Sequence, residues 1–207
     1  MSKLFLDFDG TLVDVSERFY RIFSDFLRLK GILDVPEKDE YRKLKRRLVY
    51  DPEIFKFLGL RIEWEEYRKW KWENVEDPGY LLFDTPLCDI KDLVCKLHDK
   101  GYQVYVLTAR RKPRNFWEEL KRLKLHDLFD DVFITGDYSL DSKRRMIEDI
   151  VEPEDIIVGD SEMEIHAARS LGIRHMGVAT GLRSADFLVE EGAELVLRDV
   201  TVLLKLL

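Results

Sequence analysis

From Pro86 to the end of the chain, short β-branched or aromatic runs alternate with stretches whose apolar residues recur at helical spacing. Ile90, Leu93, Val94 and Leu97 mark a helix, 103–107 a strand, 113–124 a helix, 131–134 a strand, 142–150 a helix, 155–158 a strand, 162–171 a helix and 173–178 a strand. Such alternation calls for parallel pairing, because a parallel neighbour is reached only through a crossover connection. The expected fold is α/β: a Rossmann-like, mostly parallel sheet with helices on both faces. Glu194-Leu195-Val196-Leu197 and the apolar closing stretch predict an edge strand and a final helix.

Residues 16–84 follow another pattern. Ser16 is a candidate cap for a helix whose stripe is Phe19, Ile22, Phe23, Phe26 and Leu27, ended by Gly31; Tyr41, Leu44 and Leu48 suggest a second helix, and Trp64, Tyr67 and Trp70 a third. The chain thus divides into an α/β core, 1–15 and 85–207, and a helical cap, 16–84, inserted after the first strand. The aromatic stripes read as packing, with any uncovered face available to a homodimer contact, and the tryptophans receive no substrate role.

Four segments carry chemistry. Lys3 to Leu6 is an apolar run that delivers Asp7 and Asp9, one residue apart, into a turn at Gly10; alternation along a strand sends both carboxylates the same way. Two like charges this close require a cation or a raised pKa on one of them, unless both merely begin a turn. The run 103–107 empties into Thr108, Ala109 and Arg110, just before a helix that starts near Pro113, where a hydroxyl and free amides can hold an anion. Lys143 sits in the first turn of a helix capped by Asp141 or Ser142, and on its own reads as solvated. The run 155–158 ends in Gly159 and Asp160, with Glu164 one helical turn further on, and carboxylates from two strand ends suit a hard divalent cation.

In this order the four segments resemble the haloacid dehalogenase-like superfamily of phosphohydrolases across nearly the whole chain, and the insertion resembles the helical cap of its phosphoglycolate phosphatase-like members. The Asp-x-Asp-Gly-Thr-Leu motif falls on Asp7 through Leu12, the hydroxyl of the second motif on Thr108, the lysine of the third on Lys143 and the acidic fourth on Gly159-Asp160 with Glu164. The resemblance implies a magnesium-dependent phosphatase acting on a small phosphomonoester. Asp7 would be the nucleophile and form an aspartyl-phosphate; Asp9, protonated at the start, would be acid and then base. Asp7, the Asp9 carbonyl and Asp160 would hold Mg2+, with Glu164 reaching its shell through water, and Thr108, Ala109 and Lys143 would hold the phosphate. Glu164 departs from the more usual aspartate. Arg110 is a second departure, read as facing solvent in preference to touching substrate phosphate. Phosphomutase activity fits the same motifs, a dehalogenase has no use for Asp9, and a non-catalytic scaffold would be expected to have lost some of these residues.

The remaining features narrow the class. Residues 16–84 are balanced in charge, so the whole excess of −7 falls on the core. The basic run Arg42-Lys43-Leu44-Lys45-Arg46-Arg47 reads as a solvated helix face, since an acidic chain with no other basic cluster binds polyanions such as nucleic acid poorly. No stretch approaches the roughly 20 apolar residues of a membrane span. The three apolar residues before Asp7 are too few for a signal peptide, so a cytoplasmic enzyme is expected. Cys88 and Cys95, seven apart in one expected helix, are too distant for a disulfide and read as buried thiols. A charged fraction of 36% with a single glutamine, Gln103, resembles proteins from hot environments.

Overall fold

The computed structural model describes residues 2–207; Met1, the first residue of the expected core, lies outside them. In chain order the elements are β1 (Lys3–Leu6), β2 (Val13–Asp14), α1 (Ser16–Leu29), α2 (Lys38–Leu48), α3 (Asp51–Phe57), α4 (Trp64–Asn74), α5 (Pro78–Leu81), β3 (Thr85–Pro86), α6 (Ile90–Asp99), β4 (Gln103–Thr108), α7 (Pro113–Arg122), β5 (Asp131–Ile134), α8 (Ser142–Ile147), β6 (Ile156–Gly159), α9 (Glu162–Leu171), β7 (Arg174–Val178), α10 (Ala185–Glu190), β8 (Val196–Leu197) and α11 (Leu203–Leu206). Six strands form one sheet in the order β5-β4-β1-β6-β7-β8, parallel at every pairing.

Burial explains why β1 is central. Leu4, Phe5 and Leu6 are all fully buried, as a parallel strand covered on both faces requires. Leu4 and Leu6 pack with Val104, Val158, Leu93 and Phe116 on one face, while Phe5 packs with Ile157, Ile147 and Ala167 on the other. The chain leaves β1 towards β4 on one side and β6 on the other, so a crevice opens at the carboxyl ends of these three strands.

Helices α1 to α4 enclose a second, aromatic core. Phe23 stacks on Phe55 at 5.6 Å between centroids, and Tyr67 meets Phe55 edge-on at 4.9 Å. The sequence carries no clear signal for α3, because seven residues span only two turns and show too little periodicity. The two chain crossings between this bundle and the sheet are tied by an antiparallel ribbon, Val13 opposite Pro86 and Asp14 opposite Thr85. Ser16 does not cap α1: it is the first helical residue, and its own N–H is bonded to Asp14 Oδ1, two residues earlier, at 2.8 Å. Both cysteines are free, but they are not buried thiols on one helix: Cys88 is half-buried ahead of α6 and Cys95 is exposed on it. Among the described residues no helix is long and apolar enough to cross a membrane.

One buried group on β7 makes stability pH-dependent. His175 is buried with neither ring nitrogen hydrogen-bonded, and burial lowers its pKa from 6.5 to about 4, against a small opposing pull from Glu164. The unfolded chain binds this proton near pH 6.5 and the folded one only near 4, so the site loses stability as pH falls between them. His175→Leu should therefore equal the native chain at pH 7 to within about 1 kcal/mol and exceed it by about 2 kcal/mol at pH 4.5. Urea unfolding at both pH values checks this, and parallel loss of stability in the two chains would refute the assignment.

Candidate active site

Asp7 extends β1 by one residue, its N–H bonded to Val158 carbonyl at 2.8 Å, and the backbone then doubles back so that Leu12 and Val13 both donate to the Phe8 carbonyl. Gly10 makes the turn with φ at 80°. Asp7, Asp9, Thr108, Ala109, Lys143, Asp160 and Glu164, the seven residues nominated from sequence, line one cavity of about 430 Å³ between the sheet and the helical bundle.

At its floor, Asp7 Oδ1 lies 2.5 Å from Lys143 Nζ and Oδ2 accepts a hydrogen bond from Thr11 Oγ1 at 3.4 Å. Lys143 is 1% exposed, not solvated, and its ammonium is shared between Asp7 and Glu164. Glu164 Oε2 also completes a capping box at the start of α9, accepting from Ser161 N–H at 3.0 Å. Both its oxygens are thus occupied, and the longer arm of glutamate serves to orient Lys143. Gly159 makes this possible, because a Cβ there would overlap the Glu164 side chain.

Three buried carboxylates converge on one ammonium. Burial, and repulsion from Glu164 and Asp9 against the pull of Lys143, raises Asp7 from 3.8 to about 7. Burial and the charges of Asp7 and Glu164 push Asp160 well above its ordinary value. Burial alone would lower Lys143, but Asp7 and Glu164 raise it. Among the described residues no three His, Cys, Asp or Glu side chains by themselves enclose a metal ion. The excess negative charge still fits a hard divalent cation held by Asp7, Asp160 and the Asp9 carbonyl, since a small cation that keeps several waters needs only one or two carboxylates.

Asp160 is held by a loop whose role the sequence did not reveal. Leu182 N–H donates to Asp160 Oδ2 at 3.2 Å, and Thr180 Oγ1 donates to the Gly10 carbonyl at 2.6 Å. A Cβ at Gly181 would overlap the Asp160 carboxylate, so only glycine lets this backbone approach.

Asp9 sits differently from the expectation that it begins protonated. Arg110 donates from Nε and Nη2 to its two oxygens at 2.7 Å each, and Arg18 of α1 adds a third bond at 2.9 Å. Against the effect of burial, these guanidinium groups lower its pKa to about 2, so Asp9 is ionised in this arrangement. Arg110 does not face solvent. It is 1% exposed and also pairs with Asp84 at 3.3 Å and Glu119 at 3.1 Å, while Arg18 reaches Asp84 at 3.1 Å. A lone arginine after a strand gives no hint of these partners, which come from three distant segments.

The basic run is not a uniformly solvated face. Arg42 donates to Thr180 carbonyl at 3.3 Å and Arg46 to those of Ala179 and Arg183 at 2.6 and 3.1 Å, bracing α2 against the loop over Asp160. Lys45 is buried, and only Lys43 and Arg47 are exposed. Glu76 forms a second brace, accepting from the backbone N–H groups of Arg111 and Lys112 at 3.0 and 2.8 Å beside Thr108.

A profile of haloacid dehalogenase-like hydrolases matches residues 4–178. The protein named "Putative pyrophosphatase PpaX" of Caldanaerobacter subterraneus subsp. tengcongensis is 24% identical over 227 aligned positions, covering 100% of this chain and 94% of its own. The crystal structure titled as a predicted phosphatase from Clostridium acetobutylicum superposes with a TM-score of 0.75 at 20% identity, covering 99% of this chain and 96% of that one. One titled as a predicted phosphoglycolate phosphatase from Haemophilus somnus gives 0.72 at 17% identity, covering 100% and 97%. The sheet order, the strand-end carboxylates with their buried lysine, and a profile match over most of the length lead to one conclusion: the chain belongs to the haloacid dehalogenase-like hydrolase family.

Proposed function

We propose that this hydrolase is a magnesium-dependent phosphatase that cleaves a small phosphomonoester through an aspartyl-phosphate on Asp7. The observation that carries the reading is the pairing of Asp7 with Lys143 at the floor of a cavity that also contains Thr108 and Asp160. One Asp7 oxygen is fixed by the ammonium, which leaves the other to attack phosphorus in line with the departing oxygen. Thr108 and the amide beside Ala109 hold the equatorial phosphate oxygens, and Lys143 offsets the charge that spreads over them. Asp7, Asp160 and the Asp9 carbonyl would hold magnesium, which when bound would neutralise phosphate charge and keep Asp7 ionised.

Asp9 supplies the proton chemistry. In its ionised, arginine-held form it is a base for the water that attacks the aspartyl-phosphate. Donation to the leaving alkoxide requires the carboxyl to gain a proton first, and hence to loosen from Arg110 or Arg18 as the cap moves. The bundle meanwhile shields the intermediate from bulk solvent, so that hydrolysis goes through the one water that Asp9 activates. A small phosphorylated metabolite is the partner this volume suits.

The reading is tested by phosphate release from a panel of phosphomonoesters with magnesium and with excess chelator. Release should fall to background when the metal is removed and return when it is restored. Folded, magnesium-supplied protein that releases phosphate from no ester would refute it, and isomerisation of a sugar phosphate without net release would replace it with a mutase.

A further inference from the structure

The wall opposite the nucleophile carries a second charged centre that the transfer chemistry does not use. Lys45 Nζ donates to the Val49 carbonyl at 2.6 Å and to Asp51 Oδ1 at 3.0 Å, and Lys71 Nζ donates to Asp51 Oδ2 at 2.6 Å. All three side chains line the cavity that contains Asp7. The rest of that wall is mostly apolar, with Phe19, Val49, Pro52 and Trp64.

Charge and donors are both left over. Two ammonium groups face one carboxylate, and each carries three N–H donors of which Lys45 uses two and Lys71 one on the protein acceptors named here. Asp51 is almost wholly buried and is already neutralised by Lys45, so Lys71, a quarter exposed with its ammonium 5.3 Å from the Phe19 ring, brings to the cavity a second positive charge that an anion can balance. The strain is visible at Lys45, which burial, with repulsion from Lys71 and Arg183, lowers to about 8 despite Asp51.

The backbone here is also held in an unfavourable form. Val49 has φ 63° and ψ −55°, and Tyr50 N–H bonds to Leu48 carbonyl at 2.6 Å, which makes a γ-turn centred on a β-branched residue. Such a turn persists only where its surroundings over-determine it, and strain of this kind gathers at ligand-contacting segments. Lys45 pins the turn through the Val49 carbonyl and so fixes the wall against which a leaving group would lie.

We propose that Lys45 and Lys71, with Asp51 as their shared counter-ion, form an anion subsite for the leaving group, so that the substrate bears a second anionic group, carboxylate or phosphate, beyond the phosphate that is cleaved. This rests on reading the site as a phosphatase. The apolar side chains of Phe19, Val49, Pro52 and Trp64 favour a leaving group with few hydroxyls over a polyhydroxylated sugar.

The test compares kcat/KM, with magnesium, for 2-phosphoglycolate, pyrophosphate and ethyl phosphate in the native chain and in Lys71→Met and Lys45→Met. One anionic-tailed compound should exceed ethyl phosphate by about 10-fold or more, the span of a charge-assisted hydrogen bond, and which of the two leads tells carboxylate from phosphate. Both variants should erase that ratio, and Lys71→Met, which leaves the Val49 turn intact, should do so while ethyl phosphate turnover holds; a ratio does not depend on how much protein folds. Lys71, the more exposed of the two, keeps the test intact should Lys45→Met fail to fold. Equal rates on all three compounds, or a preference that survives in Lys71→Met, would overturn the proposal. If no compound is cleaved, the phosphatase reading falls separately. Calorimetric binding of 2-phosphoglycolate, pyrophosphate and ethyl phosphate then decides: tighter binding of an anionic-tailed compound lost in Lys71→Met upholds the subsite, and equal binding or a preference kept in Lys71→Met removes it.

Discussion

Asp7→Asn is expected to abolish phosphate release, by on the order of 10⁴-fold or more, while the protein stays folded with an unchanged or higher Tm. The amide has the shape of the carboxylate but no nucleophilic oxygen, so the first chemical step has no substitute. Stability should not suffer, because the native carboxyl is already disfavoured as an anion, raised to about 7 by burial and by Glu164 and Asp9. Lys143 keeps Glu164 as partner after the change, so no buried cation is stranded. Steady-state rates and a thermal melt check both halves. A variant that retains a few per cent of native turnover would remove Asp7 from the nucleophile's role, and one that unfolds would show that Lys143 depends on Asp7 for its place.

The second large effect is on stability. Arg110→Met should destabilise the fold by about 3–5 kcal/mol, the range for removing one partner from buried ion pairs. Its guanidinium touches Asp9, Asp84 and Glu119, and without it Asp84 and Asp9 share Arg18 while Glu119 has only Arg122 at 3.7 Å. Part of the loss is relieved by protonation of Asp84, which burial already raises to about 8. Arg68→Met is the control. Its guanidinium lies exposed on α4 beside the likewise exposed Glu65, three residues away, so its cost should be below about 1 kcal/mol. Urea unfolding at pH 7 separates the two.

The pH dependence of the Arg110 deficit has a defined sign. Asp9 is held at about 2 in the fold against 3.8 as its ordinary value, so its share of stability is present above pH 4 and lost as pH falls through 2. The native advantage over Arg110→Met should therefore shrink in acid. Asp9 freed of Arg110 should also titrate higher, moving the acidic limb of the rate profile upward. A limb that stays in place would show that Asp9 is not the group it reports.

Much of the core was legible because its signals are local. Strand 131–134 and helix 162–171 are found where apolar periodicity and punctuation set them, while 113–124 and 142–150 end two and three residues early as the chain turns. Thr108, Lys143 and Asp160 were nominated by motif spacing, and all three line the cavity. What escaped were residues whose meaning depends on partners. Arg110 and Lys143 each look solvated in isolation, and both are buried because carboxylates from remote segments meet them. Arg42, Lys45 and Arg46 form part of an ordinary charged helix in sequence, and only the packing of α2 over residues 179–183 gives them acceptors. Ser16 does not serve as a cap because the helix already begins at it, and Asp14 accepts its free N–H.

The sequence by itself determined the parallel sheet and the strand ends at which Asp7, Thr108 and Asp160 emerge, because hydrophobic period and glycine turns act over a few residues and need no distant partner. Only the tertiary structure decided the charge state of the site. Whether Asp9 is ionised, whether Lys143 is shared, and whether Lys45 and Lys71 face one carboxylate across the cavity depend on which groups are brought together and removed from water. Electrostatic interaction grows steeply once solvent is excluded, and that exclusion is a property of the packed molecule.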